Sequence, residues 1–350
     1  MSTQQKKIGV IGAGSFGTSI ANLLALNGVE TLLYTRKTEL VSQIKQTQQH
    51  LGITLSDHIA ATDDLEQVAK ECDLLFPIVP SHAFRKMMQN LGPYLHPYHI
   101  LIHGTKGFGL KDIHEEALLF QETTLTRENV CTMSEVIRQE SVVVRIGCLA
   151  GPNLSSEIMD GQPTATVIAS PFTEVIKKGR KLLNSRQFHV FGSHEILGTE
   201  LSGALKNVIA IGSGILGGMN MGKNIQAMLI TRGLTEMIHI GKAMGADSKA
   251  FLGTAGIGDL IATATSKDSR NYTFGMRLGK GESFESIMES MPELAEGVRT
   301  LKIAKQLAKY YKLHVPITEM LYNVVFEGFE MQRALYYLMK YPYAIDVDFM

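Results

Sequence analysis

The chain has little that would tie it to a metal, a membrane or nucleic acid. Only three cysteines occur among its 350 residues, Cys72, Cys131 and Cys148, far apart and odd in number. That argues against a disulfide framework and fits a reducing, cytoplasmic compartment. No C-x-x-C or H-E-x-x-H pattern is present, and His96, His99 and His103 surround a Pro-Tyr turn without an acidic or cysteine ligand beside them, so no metal is expected. Lys plus Arg and Asp plus Glu both number 34, which leaves no net charge to recruit nucleic acid or an anionic membrane. The first residues lack the apolar core of an export signal. The charge-free run 207–222 is shorter than the ~20 residues of a membrane span. Its glycines favour a buried helix, and no membrane span is expected. What remains is an ordinary globular composition, 45% hydrophobic and 19% charged, in a chain long enough for two cores.

The β-branched run 7–11 empties into Gly12-Ala13-Gly14-Ser15-Phe16-Gly17, and helical spacing follows over 18–27. Strand, glycine turn and helix in this order predict a dinucleotide site. Gly12 permits the tight turn, Gly14 lets backbone approach a pyrophosphate, and Gly17 lets helix and strand pack closely. A second strand at 31–34 ends in Tyr34-Thr35-Arg36-Lys37, where NAD-specific sites carry Asp or Glu for the ribose 2′-OH. Two cations and no carboxylate favour the 2′-phosphate of NADP, with Arg36 as its partner and NAD as the second choice. A solvated pair of charges in a turn is the alternative.

Further strands are predicted at 74–79, 100–103, 142–149, 165–169 and 188–191, with helices between most of them. This alternation implies a largely parallel, doubly wound α/β sheet of Rossmann type over 1–192, followed by an all-α domain over 193–350. Pro77 sits awkwardly inside the 74–79 run, because proline cannot donate to a central ladder. Pro80-Ser81-His82, just past that strand, should face the cofactor. Lys106 lies between glycines after the next strand, which suits an anion or substrate contact, with an ordinary surface lysine as the alternative. The polar stretch 122–140 reads as a surface excursion. Gly151-Pro152-Asn153-Leu154-Ser155 is another glycine turn opening a helix, either as a cap only or in contact with cofactor and substrate.

In the helical domain, the stretch 201–218 carries a single charge, Lys206. On a helix its neighbours are small: Thr199, Ser202, Gly203, Ala210, Ser213, Gly214 and Gly217. Such a bare stripe lets a ligand lie against the backbone with the amine pointing at it. A lysine reaching past a core helix to solvent is the other reading. Asp259 follows a glycine-rich bend, as a site residue or as a helix cap. Ser269 is a predicted N-cap, which would place Arg270 and Asn271 at a helix N-terminus suited to a phosphate dianion. The helices at 298–311 and 317–326 are assigned to core and subunit contact.

These residues together resemble the bacterial NAD(P)-dependent glycerol-3-phosphate dehydrogenases along nearly the whole chain. The resemblance rests on Gly-Ala-Gly-Ser-Phe-Gly at 12–17, Val-Pro-Ser-His at 79–82, Thr-Lys-Gly at 105–107, Leu-Lys-Asn-Val-Ile-Ala-Ile-Gly at 205–212, Gly-Asp-Leu at 258–260, Ser-Arg-Asn at 269–271 and Glu-Gly-Val-Arg-Thr at 296–300. It implies that Lys206 is the proton donor and acceptor, and that Lys106, Gly151, Asn153, Asp259, Thr263, Ser269, Arg270 and Asn271 meet the substrate. It also implies that Gly12, Gly14, Ser15, Phe16, Gly17, Arg36, Lys106, Ser155, Arg270, Leu294 and Glu296 line the cofactor site. The family usually has Thr or Ser, then Phe and Ala, where this chain has Asn153, Leu154 and Ser155. The implied reaction is reduction of dihydroxyacetone phosphate to sn-glycerol 3-phosphate for phospholipid synthesis, by a homodimer. An ordinary lysine, with a pKa of about 10.4, would already carry the proton for reduction near neutrality, whereas oxidation needs the neutral amine, which crowding by Lys106 and Arg270 would favour and Asp259 would oppose. The rivals are a β-hydroxyacid or 6-phosphogluconate type of dehydrogenase and a regulator that binds NADP without chemistry.

Overall fold

The computed structural model describes residues 6–115, 118, 124–291 and 295–341. The chain divides into two compact units, Met1–Thr105 with Thr132–Ile196, and Lys106–Cys131 with Leu197–Met350. Each has its own apolar core.

The first unit is built on eight strands: β1 (Lys7–Ile11), β2 (Thr31–Tyr34), β3 (Ile59–Thr62), β4 (Cys72–Pro77), β5 (Ile100–His103), β6 (Arg145–Ala150), β7 (Thr164–Ala169) and β8 (Phe188–Ser193). Their order is β8-β7-β6-β5-β4-β1-β2-β3, and every neighbouring pair is parallel except β6 with β7. Strands covered on both faces need continuous apolar runs, and β5 is buried at all four of its residues. The helices are α1 (Ser15–Leu26), α2 (Thr38–Thr47), α3 (Leu65–Glu71), α4 (Ser81–Leu91), α5 (Met133–Glu140), α6 (Ser155–Met159) and α7 (Thr173–Leu183). This is the doubly wound Rossmann-type architecture the alternation predicted. Chain order reverses between β1 and β4, and ligands of such sheets lie beyond the strand ends at that point.

Three local differences have physical causes. Pro77 is the last residue of a central strand; its carbonyl accepts from Gly104 N at 3.0 Å on the β5 side, where its missing N–H would also point, and Ile78 N donates to Ile11 O at 2.8 Å on the β1 side. The ladder therefore ends where the missing N–H would be felt, two residues earlier than expected. Residues 133–140, read as surface excursion, form α5. Thr132 and Glu135 close a capping box at its start, and Met133, Val136 and Ile137 are buried. β3 was absent from the expected strands, because Ile59-Ala60-Ala61-Thr62 is too short and too poor in large apolar residues to announce itself.

In the second unit, α8 (Ile196–Gly218) leads into α9 (Lys223–Ala243), α10 (Lys249–Leu252), a π-helical turn at Thr254–Gly258, α11 (Asp259–Thr265), α12 (Arg270–Gly279), α13 (Phe284–Ser290), α14 (Glu296–Tyr310), α15 (Pro316–Phe326) and α16 (Met331–Lys340). A two-stranded antiparallel ladder, Gly109–Leu110 with Val130–Cys131, belongs to this unit. Among the described residues α8 alone is long and apolar enough to cross a membrane, and it is almost wholly buried in the protein.

Candidate active site

Lys206 stands in the middle of α8 and is 4% exposed, so it does not reach solvent. Its Nζ donates to Asp259 Oδ1 at 2.6 Å and to the Thr263 hydroxyl. Asp259 and Thr263 are one turn apart on α11, which puts both on the face turned to the lysine. Lys106 Nζ donates to the other carboxylate oxygen of Asp259 at 2.8 Å. Two ammonium groups thus share one carboxylate that is itself 1% exposed. The helix-cap alternative for Asp259 is set aside: Gly258 precedes α11, and the carboxylate is engaged by the lysines.

Burial pushes the Lys206 ammonium down to about 7; the Asp259 carboxylate opposes this, and the Lys106 charge adds to it. The opposed influences of Lys106 and Asp259 were expected; that burial outweighs either was not. A value near 7 lies in the range suited to a general acid–base group working at neutral pH.

The small-residue stripe has a different explanation over most of its length. A β-carbon at Gly214 would lie 2.1 Å from Tyr272 O, one at Gly218 2.3 Å from Met276 O, and one at Gly275 2.0 Å from Ile211 O. The stripe lets α8 and α12 touch backbone to backbone. Ser202 and Ser213 hydroxyls donate to Ala255 O and Ala264 O, at 3.1 and 2.6 Å, tying α8 to the π-helical turn and α11. Only toward Lys106 does the stripe stay loose, since a β-carbon at Gly203 would meet nothing nearer than Lys106 Cγ at 3.7 Å.

A buried amide relay joins the remaining pieces. Gly297 N donates to Asn271 Oδ1 at 2.7 Å, Asn271 Nδ2 to Asn207 Oδ1 at 2.9 Å, and Asn207 Nδ2 to Lys106 O at 3.3 Å. Ser269 caps α12 as predicted, its hydroxyl accepting from Tyr272 N at 3.3 Å. Arg270, exposed, and Asn271, buried, therefore occupy the first turn of a ten-residue helix. Glu296 opens α14, half-buried, and Leu294 lies outside the described residues.

The other expected residues belong to the first unit. Gly12 has φ +116°, and a β-carbon there would strike Ile78 O at 2.1 Å; one at Gly17 would strike Gly12 O at 1.8 Å. At Gly14 it would meet nothing within 4 Å. Packing therefore demands glycine at 12 and 17, whereas Gly14 leaves open space in front of the α1 N-terminus, where Ser15 is exposed and no acidic side chain occupies the first turn. That space and that dipole fit a dinucleotide pyrophosphate. Phe16 packs over Gly104, and Ser19 Oγ reaches Ser15 O and, more weakly, Ser155 O, at 2.9 and 3.4 Å, linking α1 to α6. Arg36 and Lys37 are exposed after β2. Gly151, at φ +149°, ends β6, and Asn153 Nδ2 donates to Thr166 Oγ1 at 3.0 Å. Ser81 is buried at the start of α4 and His82 exposed.

Sequence reading gave no role to Asn207, Arg299 or Glu115. Asn207 and Arg299 lie in the quoted motifs at 205–212 and 296–300, but nothing local shows which partners they take; Glu115 carried no signal.

Family models of the NAD-dependent glycerol-3-phosphate dehydrogenase N-terminus and C-terminus match residues 7–175 and 195–336. The glycerol-3-phosphate dehydrogenase [NAD(P)+] of Carboxydothermus hydrogenoformans is 38% identical over 98% of this chain and 99% of its own. That of Teredinibacter turnerae is 37% identical over 99% and 98%. Among solved structures, the glycerol-3-phosphate dehydrogenase of Coxiella burnetii superposes with a TM-score of 0.85 at 27% identity, covering 96% of this chain and 99% of that one. With a buried lysine held on an aspartate and a threonine, a glycine turn that leaves room for a pyrophosphate, and family models matched over 7–175 and 195–336, the chain belongs to the NAD-dependent glycerol-3-phosphate dehydrogenase family.

Proposed function

We propose that this enzyme reduces dihydroxyacetone phosphate to sn-glycerol 3-phosphate with NAD(P)H, reversibly, and that Lys206 moves the proton. The chemistry a bound nicotinamide supplies is a hydride, given to the carbonyl carbon or recovered from the alcohol carbon. As the carbonyl oxygen gains negative charge, the Lys206 ammonium gives it a proton and becomes a neutral amine, which regains a proton before the next turnover. In the oxidative direction the neutral amine takes the hydroxyl proton. Asp259 and Thr263 hold the nitrogen in one place through both steps. Lys106, on the far oxygen of Asp259, steadies the same carboxylate and offers a second cation to the substrate.

For the phosphate we assign Arg270 and the first turn of α12, where a guanidinium and a helix dipole attract the same dianion. Asn271 braces that turn through the amide relay, and Ser269 fixes its start. Gly151 completes the substrate contacts, and Gly12, Gly14, Ser15, Phe16, Gly17, Leu294 and Glu296 the cofactor contacts, by their match to the family; Asn153 and Ser155 take the corresponding substrate and cofactor positions where the family usually has Thr or Ser and Ala. Arg36 beyond β2 supports a preference for NADP over NAD, because it can pair with a 2′-phosphate and no carboxylate stands at 34–37. Buried, unbridged Cys72, Cys131 and Cys148 support a cytoplasmic enzyme, and the family resemblance supports a homodimer that supplies phospholipid synthesis.

The observation that carries the reading is the buried amine of Lys206 held by Asp259 and Thr263. Steady-state assays with dihydroxyacetone phosphate, comparing NADPH with NADH, test it. We expect turnover with both and a higher kcat/KM for NADPH. No consumption of either cofactor would reject the function, and a higher value for NADH would reject the role of Arg36.

A further inference from the structure

We propose that Arg299 is a positioning residue for the proposed reaction: from the first turns of α14 it clamps the segment that carries Lys106, and so places that ammonium on Asp259. The proposal rests on the assignment of Lys206, Asp259 and Lys106 given above. Three nitrogens of the Arg299 guanidinium act on this one segment. Nη1 donates to Phe108 O at 2.5 Å, while Nε and Nη2 donate to the two carboxylate oxygens of Glu115, each at 2.7 Å. Asn207 grips the same segment at Lys106 O. The backbone on either side of Gly107 is therefore fastened at both carbonyls, one by the neighbour of Lys206 and the other by Arg299.

An arginine is a costly choice for a simple brace here. It is 4% exposed, and burying a guanidinium is unfavourable unless it is fully paired. It is also a cation within the first turns of a helix, where the dipole repels it. What the planar fork supplies is the ability to hold a carbonyl and a carboxylate in fixed relative positions, which a lysine's single point charge does not match. The same end of α14 sends Gly297 N into the Asn271–Asn207 relay that ends on Lys106 O. One helix end thus fixes the Lys106 segment by two separate routes. Among the described residues the charged groups that bear most on Lys206 are Asp259 from α11 and Lys106 from this segment, and the Lys106 charge helps to hold the amine low. If the clamp is loosened, Lys106 moves off Asp259 and the Lys206 amine becomes more basic.

The test compares wild type with Arg299→Lys and Glu115→Gln, measuring thermal unfolding, NADPH affinity, kcat and the pH dependence of glycerol 3-phosphate oxidation. For folded Arg299→Lys we expect kcat to fall on the order of 100-fold, as a misplacement of about 1 Å does, with NADPH affinity preserved. The limb on which oxidation rises with pH should move up by about one unit. Glu115→Gln, a same-size change at a partly exposed carboxylate, should move both in the same direction by less, and it carries the test if Arg299→Lys does not fold. An unmoved limb in the folded variant overturns the proposal, whether kcat is unchanged or reduced, because a merely structural role would leave the limb alone. Lys206→Met in parallel separates the two levels: if it keeps turnover, the assignment of Lys206 fails; if it is inactive while Arg299→Lys behaves as wild type, only the clamp fails.

Discussion

A lysine whose ammonium is pushed down to about 7 by burial leaves two marks on the pH axis. In the proposed mechanism oxidation of glycerol 3-phosphate uses the neutral amine, so its rate should climb through a limb near pH 7, while reduction uses the ammonium and should decline over the same range. A pH–rate profile in each direction checks this, and parallel profiles would contradict it. The second mark is on stability. The folded value lies below the ordinary 10.5, so unfolding takes up a proton between the two, and stability from this group rises as pH rises from 7 to 10.5. Lys206→Met removes that dependence while Lys106 still neutralises Asp259. The unfolding temperature of the variant relative to wild type should be highest near about pH 6 and drop by roughly 5 °C towards about pH 10. At this scale the sequence announced Lys206 through its isolation, and Asp259 through the glycines before it. It pointed to Lys106 and Asp259 as opposed influences on the amine but not to the larger effect of burial, and it gave Asn207 and Arg299 no partners, which lie 101 and 184 to 191 residues away.

Elements explain why glycines of similar appearance do different things. Gly14→Ala adds a methyl group to open space at a backbone φ of −79°, which alanine adopts freely, so stability should stay within about 0.5 kcal/mol of wild type. The KM for the cofactor should rise about tenfold or more, because the methyl group stands where the pyrophosphate must approach. Gly214→Ala does the reverse. Its β-carbon would be forced to 2.1 Å from Tyr272 O, so α8 and α12 must separate at a cost of about 1–3 kcal/mol or more. Denaturant unfolding beside cofactor kinetics distinguishes the two, and equal losses of stability would contradict the account. The strand–turn–helix at the N-terminus and the Ser269 cap were legible because their chemistry is local. The stripe on α8 was legible only as a pattern. Whether its small side chains make room for a ligand or for another helix depends on α12, more than 50 residues further on, which no local window contains.

For the whole molecule, chain order and spatial order part at Lys106–Cys131, which falls among the strands in sequence but folds with the helical unit. The alternation of strands could not show this, since the segment contributes only a two-stranded ladder. Phe108, Leu110 and Val130 nevertheless sit in the helical core, and Lys106 supplies half of the paired ammonium groups. A fragment of residues 197–350 should therefore lack cooperative unfolding when expressed alone, and should gain it when a peptide of residues 106–131 is added. Cooperative unfolding of the fragment by itself would contradict this division. The central claim, that one buried amine carries the proton for the whole enzyme, is tested most directly by NADPH consumption with dihydroxyacetone phosphate in wild type and Lys206→Met, alongside NADPH affinity. The account predicts that turnover falls by about 10²–10⁴-fold with affinity preserved; a folded Lys206→Met enzyme turning over at the wild-type rate would contradict it.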